Sequence, residues 1–248
     1  MTGVRILHVV PYFPPDRIGG VGEVAFHLHR GLLAAGHDSH VVTVGTTKDD
    51  PTVERIAESP LGWVIKVGAL GRLAAEFDVV HCHQGEALAL AVAMRALRVR
   101  TPLLTTFHVS YAEFERAYRP YRIEGRLFGR SSGNWRYRAF TTRLHRITDR
   151  AVLHLADGTS FIARSSALEV LGQNHGSRAR VIYNALPPLD SAPLEPCRSD
   201  GLLFVGNRSD RKRSLILPFV LKAVREHLPE TRLTIVGVEP ERAPALVA

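Results

Sequence analysis

The sequence predicts an α/β protein built on a doubly wound parallel sheet, and two features carry that prediction. Apolar runs of strand length recur along the chain, and several are continuously apolar, as parallel strands buried on both faces are. Helical patterns lie between these runs, most clearly at residues 22–35, where Val24, Leu28 and Ala35 mark one face, and at residues 86–97. Strands that alternate with helices in this way are typical of open α/β sheets.

The predicted strands follow one another at intervals that leave room for a helix after most of them. In chain order they cover residues 4–10, 40–44, 63–67, 78–83, 103–107, 158–163 and 180–183. The next segment, residues 187–200, contains four prolines among Ser, Asp and Glu, as an interdomain linker does. The pattern then restarts with a strand at 201–206, a helix at 214–228 and a strand at 232–237.

These changes predict three parts: a first α/β domain at residues 1–186, the linker at 187–200, and the beginning of a second α/β domain at 201–248. One strand–helix–strand unit cannot cover both faces of its own sheet. We therefore expect the second domain to be incomplete within these 248 residues.

Positive charge is concentrated in one stretch of the chain. The sequence carries 32 Lys and Arg against 24 Asp and Glu, a net charge of +8, and residues 116–150 hold ten Arg, no Lys and two acidic residues. This basic window therefore accounts for the whole net charge. Aromatic residues interleave with its arginines, a mixture that could stack bases and contact phosphates, but no nucleic-acid-binding motif accompanies it. We expect no nucleic acid partner.

The sequence also bears on location. No run of about 18 apolar residues could span a bilayer, and the N-terminus shows no secretory signal pattern. The two cysteines, Cys82 and Cys197, stand far apart and form no CxxC motif, so both are expected to be free thiols. We expect a cytoplasmic protein.

The first loop ends in Gly19, Gly20, Val21 and Gly22, beyond the first strand and at the start of the first helix. Ligands of open α/β sheets dock beyond the carboxyl ends of strands, where glycines let a phosphate approach the N–H groups of a helix N-terminus. The spacing is neither GxGxxG nor a P-loop. The loop fits a diphosphate or an anionic sugar, with a plain tight turn as the alternative.

Three histidines lie near predicted strand ends. His81 and His83 share one face of a strand, so they are either packed and hydrogen-bonded there or two metal ligands; no third ligand is apparent, and we expect no metal ion. His108 follows the fifth strand, at the carboxyl edge of the sheet. A neutral imidazole there could accept a hydrogen bond from a sugar hydroxyl, and a protonated one could stabilise developing charge. Capping of the next turn is the alternative.

Cations are clustered where the second strand–helix unit turns. Arg208, Arg211, Lys212 and Arg213 lie between the strand at 201–206 and the following helix. Positive side chains at a helix start oppose the helix dipole, so a bound anion would relieve the conflict. The loop is a candidate phosphate site, with a solvated basic loop as the alternative.

Short motifs follow in a fixed order along the chain. Near the N-terminus they are RILHVVP at 5–11, GGVGEV at 19–24, GLLAAGH at 31–37 and HVVT at 40–43. Further pieces lie at residues 78–83, 106–108, 156–165, 181–184, 204–206 and 233–237. In this order they resemble a family 4 glycosyltransferase over nearly the whole chain, which makes the combined match specific.

The resemblance implies a GT-B fold of two Rossmann-like domains facing a cleft, the N-terminal one complete and the C-terminal one partial. It implies a retaining, metal-independent hexosyltransferase with a nucleotide-diphosphate sugar as donor substrate and no cofactor. By position, Gly19 and Gly20 match the loop that meets the donor phosphates, and His108 matches the histidine near the donor sugar. Lys212 matches the lysine that contacts the diphosphate, and a one-residue loop shift would bring Arg208 to the family's arginine.

Three departures from the family pattern matter. Asn207 stands where the family has arginine, and Arg213 replaces the glycine expected after the lysine. The family's two glutamates separated by seven residues, which grip the donor sugar and ribose, occur nowhere in the chain. We therefore expect a fragment that alone transfers little or no sugar. The alternative is a non-catalytic GT-B-like binding module completed by a partner.

The basic window lies directly after His108 and therefore, by the resemblance, at the mouth of the acceptor site. Its arginines fall at near-helical spacing beside tyrosines, although Pro120 and Gly125 argue against one continuous helix. Cations flanked by aromatic residues suit an anionic membrane surface or a phosphate-bearing acceptor. We expect a glycan, lipid-linked or small-molecule acceptor, or the inner membrane face, to be contacted by Tyr111, Arg119, Arg122, Arg126 and Arg130.

Overall fold

The structure is a computed structural model that describes residues 3–16, 19–46, 50–57, 60–83, 87–110, 121–128, 135–172, 179–185, 201–206 and 212–237. The chain divides into two compact units. The first combines residues 1–110 with 143–187, and the second combines 111–142 with 188–248. Residues 111–142, which the sequence places in the first domain, are thus grouped with the second unit.

Secondary structure alternates between strands and helices, as expected. The first elements are β1 (Arg5–Val9), α1 (Gly20–Ala34), β2 (Asp38–Val44), β3 (Val53–Ala57), α2 (Pro60–Leu73), β4 (Val79–His83), α3 (Ala87–Ala96) and β5 (Leu103–Phe107). They are followed by β6 (Tyr121–Ile123), β7 (Arg126–Phe128), α4 (Trp135–Leu155), β8 (Gly158–Phe161), α5 (Arg164–Leu171) and β9 (Ala179–Val181). The last are β10 (Gly201–Val205), α6 (Leu217–Arg225) and β11 (Arg232–Val236), with a short 3-10 turn, Ser214–Ile216, before α6.

The first unit is built on a seven-stranded sheet in the order β3-β2-β1-β4-β5-β8-β9, with every neighbouring pair parallel. The strand order reverses its direction between β1 and β4, so the carboxyl ends of β1, β4 and β5 lie side by side at the switch point. The predicted doubly wound α/β fold is confirmed. In such sheets, ligands bind beyond the carboxyl ends of the strands at this point.

Apolar side chains fill both faces of this sheet. On one face, Leu7, Val80 and Phe107 belong to a buried cluster with residues of α2, α3, α4 and α5, among them Leu70 and Leu90. On the other face, Val10 and Val41 pack with Phe13 and with Ala25 of α1. Apolar packing on both faces therefore fixes the carboxyl edge of the sheet.

One predicted strand is wrong, and three strands, β3, β6 and β7, were not predicted. Residues 63–67, expected as a strand, lie inside α2, because a short apolar run fits a buried helix as well as a buried strand. Pro60 opens that helix, at a position where proline is well tolerated. The strand β3 was not predicted, since Glu54 and Arg55 interrupt its apolar character at the edge of the sheet.

The second unit contains a parallel pair, β10 with β11, and an antiparallel hairpin, β6 with β7. The hairpin turns at Glu124 and Gly125, whose φ angles of 48° and 77° are the left-handed pair that a type I′ turn requires. On one face of the parallel pair, Leu203 and Val205 are 68% and 64% exposed. Within the described residues of this unit, that face of the pair is open.

Two smaller points complete the fold. Cys82 is buried in β4 and is in no disulfide among the described residues, as expected, whereas Cys197 lies outside these residues. None of the helices in the described ranges combines the length and the apolar character that crossing a bilayer requires.

Candidate active site

Histidines from three neighbouring strands meet at the carboxyl edge of the first unit's sheet. His8 on β1 lies directly opposite His81 on β4, and His83, two residues further along β4, points to the same face. His108 follows the last residue of β5 and is buried. The ring centroids of His81 and His83 are 4.6 Å apart, and those of His83 and His108 are 5.2 Å apart.

Hydrogen bonds fix the rings of His81, His83 and His108 in place. His83 Nδ1 lies 2.9 Å from His108 Nε2, so one ring donates to the other. His81 Nε2 lies 2.7 Å from the hydroxyl of Thr106, which in turn lies 2.7 Å from the hydroxyl of Ser160 on β8. His108 is therefore held from inside the sheet by a neighbouring ring.

Burial decides the charge of these rings. It lowers the pKa of His108 to about 4 and that of His81 to about 4, the latter with a further contribution from the neighbouring His108. Burial also lowers the pKa of His83 well below its usual value. At neutral pH the rings are uncharged, so His108 has the neutral form that exchanges hydrogen bonds with hydroxyl groups.

His8 is the residue that the sequence analysis missed. One ring nitrogen from each of His8, His81 and His83 lies within 4.8 Å of the other two, so a third potential ligand does stand beside the two predicted histidines. The sequence held a signal for it, because the doubly wound strand order sets β1 beside β4. Histidines near the carboxyl ends of β1 and β4 therefore lie opposite each other on the two paired strands.

The glycine loop lies at the same edge of the sheet. Gly19 and Gly20 are exposed at the N-terminus of α1, which begins two residues earlier than the pattern predicted. A Cβ atom at either glycine would meet no atom within 4 Å, whereas Gly22 is buried in the first helical turn. Open space at free helix N–H groups fits the predicted approach of an anion.

A buried ion pair fixes the loop that leads to these glycines. Arg55 on β3 donates through Nε to Asp16 and through Nη2 to the carbonyl oxygen of Pro14, the latter at 3.2 Å. Asp16 Oδ1 also accepts the backbone N–H of Thr46 at 3.2 Å. The side chains of Arg55 and Asp16 are 3% and 12% exposed. Neither residue was singled out from the sequence.

In the second unit, a glycine follows each of the two parallel strands, and a lysine side chain lies beside one of these glycines. Gly206 and Gly237 directly follow β10 and β11, and the Gly206 N–H donates to the carbonyl oxygen of Val236 at 2.9 Å. Lys212 Cδ lies 3.7 Å from the place that a Cβ of Gly206 would occupy. The buried hydroxyl of Ser214 has no hydrogen-bond partner in the described part of the chain. Two strand ends that carry glycine, one of them in contact with the side chain of Lys212, form a candidate phosphate site.

Arg213, which stands where glycine was expected, adopts the backbone conformation that favours glycine. Its φ and ψ angles are 52° and 34°, in the left-handed region. Its guanidinium carbon lies 5.1 Å from the centre of the Tyr121 ring, a cation–π distance. Arg213, which departs from the family pattern, therefore has a strained backbone, and its contact with the Tyr121 ring compensates for part of that strain.

Two substitutions at this position separate strain from contact. Both Arg213→Gly and Arg213→Ala remove the guanidinium, but only glycine relieves the left-handed strain. We expect the Gly variant to have the larger free energy of unfolding, by about 1 kcal/mol. Paired urea titrations measure this difference, and equal midpoints would show that Arg213 is not strained in solution.

A sequence profile of Glycosyltransferase Family 4 matches residues 18–188, which is more than half of the 248 residues. The chain belongs to this family. A search of curated proteins found no match to the sequence. The profile covers Gly19, Gly20, His81, His83, His108 and the basic window, whereas His8, Lys212 and the two strand-end glycines of the second unit lie outside it.

Solved structures place this family 4 member in the GT-B fold. The catalytic domain of starch synthase IV from Arabidopsis thaliana, bound to ADP and acarbose, matches with a TM-score of 0.58 at 12% identity, covering 98% of this chain and 70% of that one. TarM matches at 0.65 and 8% identity, covering 98% and 74%. An α-glucosyltransferase bound to UDP and mismatched DNA matches at 0.53 and 11% identity, covering 99% and 58%. At these identities the likeness concerns the fold alone.

Several predicted contact residues of this family 4 member lie outside the described residues. They are Arg208, Tyr111, Arg119 and Arg130, together with the side chain of Arg126. Arg122 is exposed on β6, within the second unit. The helix predicted at 214–228 is present as the 3-10 turn followed by α6, with Lys212 and Arg213 exposed before it.

Proposed function

We propose that the chain is part of a retaining glycosyltransferase that moves a hexose from a nucleotide-diphosphate sugar to an acceptor. The observation that carries this proposal is the placement of His108, a neutral ring at the carboxyl edge of the sheet, fixed by His83 and within the stretch that the family profile matches. The nucleoside diphosphates bound to two of the similar structures, ADP and UDP, support this class of donor.

In the proposed reaction, His108 exchanges a hydrogen bond with a hydroxyl group of the donor sugar and so orients it. In the second unit, the ammonium group of Lys212 and the backbone beside Gly206 and Gly237 stabilise a diphosphate as the glycosidic bond breaks. In the first unit, the N–H groups exposed at Gly19 and Gly20 are a candidate contact for phosphate. Protein cations neutralise the leaving group in this scheme, so the transfer step uses neither a metal ion nor a cofactor.

Binding is a better test than turnover for this chain. The two glutamates separated by seven residues are absent from its 248 residues, and we expect sugar transfer by the chain alone to be slow or undetectable. A non-catalytic GT-B-like module completed by a partner is the alternative, and it also predicts binding without turnover. Sustained transfer by the purified chain would remove that alternative.

Lys212 is the residue on which donor binding should depend most. We expect Lys212→Ala to weaken binding of a nucleoside diphosphate by about 10- to 150-fold, because a hydrogen bond to a charged group contributes about 1.5–3 kcal/mol. Titration calorimetry with ADP, UDP and GDP measures this change.

The matched control is Lys222→Ala. Lys222 is an exposed lysine on α6 whose ammonium group lies 3.5 Å from Glu124, and the control removes the same charge from the same unit. Equal losses in the two variants would mean that only net charge matters. No loss in either would place the diphosphate elsewhere.

We propose further that the protein acts in the cytoplasm and contacts the inner membrane face through α4. Phe140, Leu144 and Ile147 follow one another at helical spacing on α4 and are 63%, 45% and 57% exposed. Arg143 and Arg146 are exposed on the same helix. Exposed apolar side chains next to arginines are typical of helices that lie in an anionic lipid interface. A lipid-linked acceptor would be presented at such a surface.

Charge reversal tests this contact. Each arginine near an anionic surface contributes about 1 kcal/mol, so we expect Arg143→Glu with Arg146→Glu to lower the partition coefficient onto phosphatidylglycerol vesicles by about 30-fold or more. The control is Arg72→Glu with Arg100→Glu, which changes the net charge equally at exposed residues elsewhere. Vesicle sedimentation measures both. The membrane contact would be contradicted if the wild-type chain did not bind anionic vesicles. Equal falls in the partition coefficient of the two double variants would contradict it as well.

A further inference from the structure

We propose that His8, His81 and His83 form a binding site for a divalent transition-metal ion of the zinc class. The three rings come from the adjacent parallel strands β1 and β4, and one nitrogen of each lies within 4.8 Å of the others. The site goes beyond the proposed transfer reaction, which assigns no role to a metal ion.

Unpartnered nitrogen atoms are the first argument for the site. Both ring nitrogens of His8 and Nε2 of His83 are buried without a hydrogen-bond partner among the described residues, and the two side chains are 0% and 1% exposed. Buried polar atoms without partners are rare because each lacks the hydrogen bonds it would make in water. A cation in the cluster would satisfy one nitrogen on each ring.

The donor set is the second argument, because it selects the class of ion. All three groups are imidazoles, which suit zinc, copper and nickel, whereas magnesium and calcium require oxygen ligands. Three histidines with the fourth position open to water or another ligand are a known zinc arrangement.

The distances require a modest rearrangement. Zinc–nitrogen bonds of about 2.0–2.1 Å in a tetrahedral site set the nitrogen atoms about 3.3 Å apart. The observed spread of up to 4.8 Å therefore has to contract by about 1.5 Å, which rotation of the side chains can supply. His81 is only half-buried, and it leaves the cluster a side from which an ion can enter.

The hydrogen bonds already present suit a metal site. Ligand histidines usually donate their second ring N–H to a neighbouring group, which fixes the tautomer. His83 has its Nε2 unpartnered and its Nδ1 2.9 Å from His108 Nε2, and Nε2 of His81 is bonded to Thr106. A metal ion on His83 Nε2 would thus make His83 the donor and His108 the acceptor in their shared hydrogen bond.

Zinc binding by the metal-free 248-residue chain tests the site. We expect titration calorimetry to give one strong equivalent of Zn²⁺. Because the loss of an outer hydrogen-bond partner alone costs 10- to 100-fold in metal affinity, we expect loss of a ligand in His81→Gln to cost about 100-fold or more. The control is His27→Gln, an exposed histidine near Glu23 on α1. Equal affinity in the two variants, or no strong equivalent in the wild type, would overturn the site.

A second measurement needs no variant and so remains decisive if His81→Gln does not fold. Long-range nitrogen–proton NMR spectra of the wild-type chain report the tautomer of each imidazole before and after one equivalent of Zn²⁺. We expect the signals of His8, His81 and His83 to shift together and His108 to become the Nε2 acceptor. Shifts confined to exposed histidines would show adventitious surface binding and overturn the proposal.

Discussion

Replacing Asp16 with alanine is expected to lower the free energy of unfolding by about 3–5 kcal/mol. The substitution leaves the Arg55 guanidinium buried without its carboxylate, because that side chain is only 3% exposed. It also removes the acceptor for the Thr46 N–H. The loss is large because an uncompensated buried charge costs far more than the pair itself contributes.

Thermal or urea unfolding measures this loss, and the expected fall in Tm is about 10 °C for a protein of this size. The matched control is Asp78→Ala, which breaks the exposed pair between Asp78 and Arg5. Exposed pairs contribute little, since water screens both charges. If Asp16→Ala unfolds no more easily than Asp78→Ala, the Asp16–Arg55 pair does not anchor the glycine loop in solution.

The second large effect is expected at Phe161. Its ring is fully buried and stacks on Phe107, with the ring centroids 4.9 Å apart and the planes inclined by 13°. Phe161→Ala should lower the free energy of unfolding by about 3–5 kcal/mol, because it leaves a cavity between β5 and β8 that the packed sheet cannot fill. Phe107 directly precedes His108, so this cavity would also loosen the candidate active site.

Phe140→Ala is the control for this prediction. It makes the same chemical change at a ring that is 63% exposed, and we expect the free energy of unfolding to change by no more than about 0.5 kcal/mol. Urea titration with a fluorescence or circular dichroism signal compares the two variants. Similar unfolding midpoints would contradict the packing of Phe161 in the core.

Local sequence pattern was sufficient to predict much of this fold. The strand β5 has the predicted bounds, because a short run of apolar and β-branched residues between a proline and a histidine is typical of a strand. Once β5 is placed, His108 follows at the carboxyl edge of the sheet. The glycine loop was predictable for a similar reason, since glycines before an amphipathic pattern indicate a helix start next to a strand end.

The remaining features depend on contacts between distant parts of the chain. His8 meets His81 only because β1 and β4 are neighbours, and periodicity along one strand contains no information about its neighbour. Arg55 and Asp16 are hydrogen-bonded although they are 39 positions apart in the sequence. Arg55 also lies on the edge strand β3, which was not predicted because its charged residues interrupt the apolar pattern. Residues 63–67 were misassigned because a short apolar run has the length of a strand, whereas here it lies within a helix of 14 residues, Pro60–Leu73.

The central claim is that this family 4 chain recognises a nucleotide-diphosphate sugar, and ligand-observed NMR with a panel of donors tests it most directly. The panel contains UDP-, ADP- and GDP-hexoses, with the free nucleosides and free hexoses as comparisons. We predict saturable binding of at least one nucleotide sugar, weaker or absent binding of its phosphate-free parts, and a clear loss of binding in Lys212→Ala. No binding across the panel, or binding that does not depend on the diphosphate, would contradict the account.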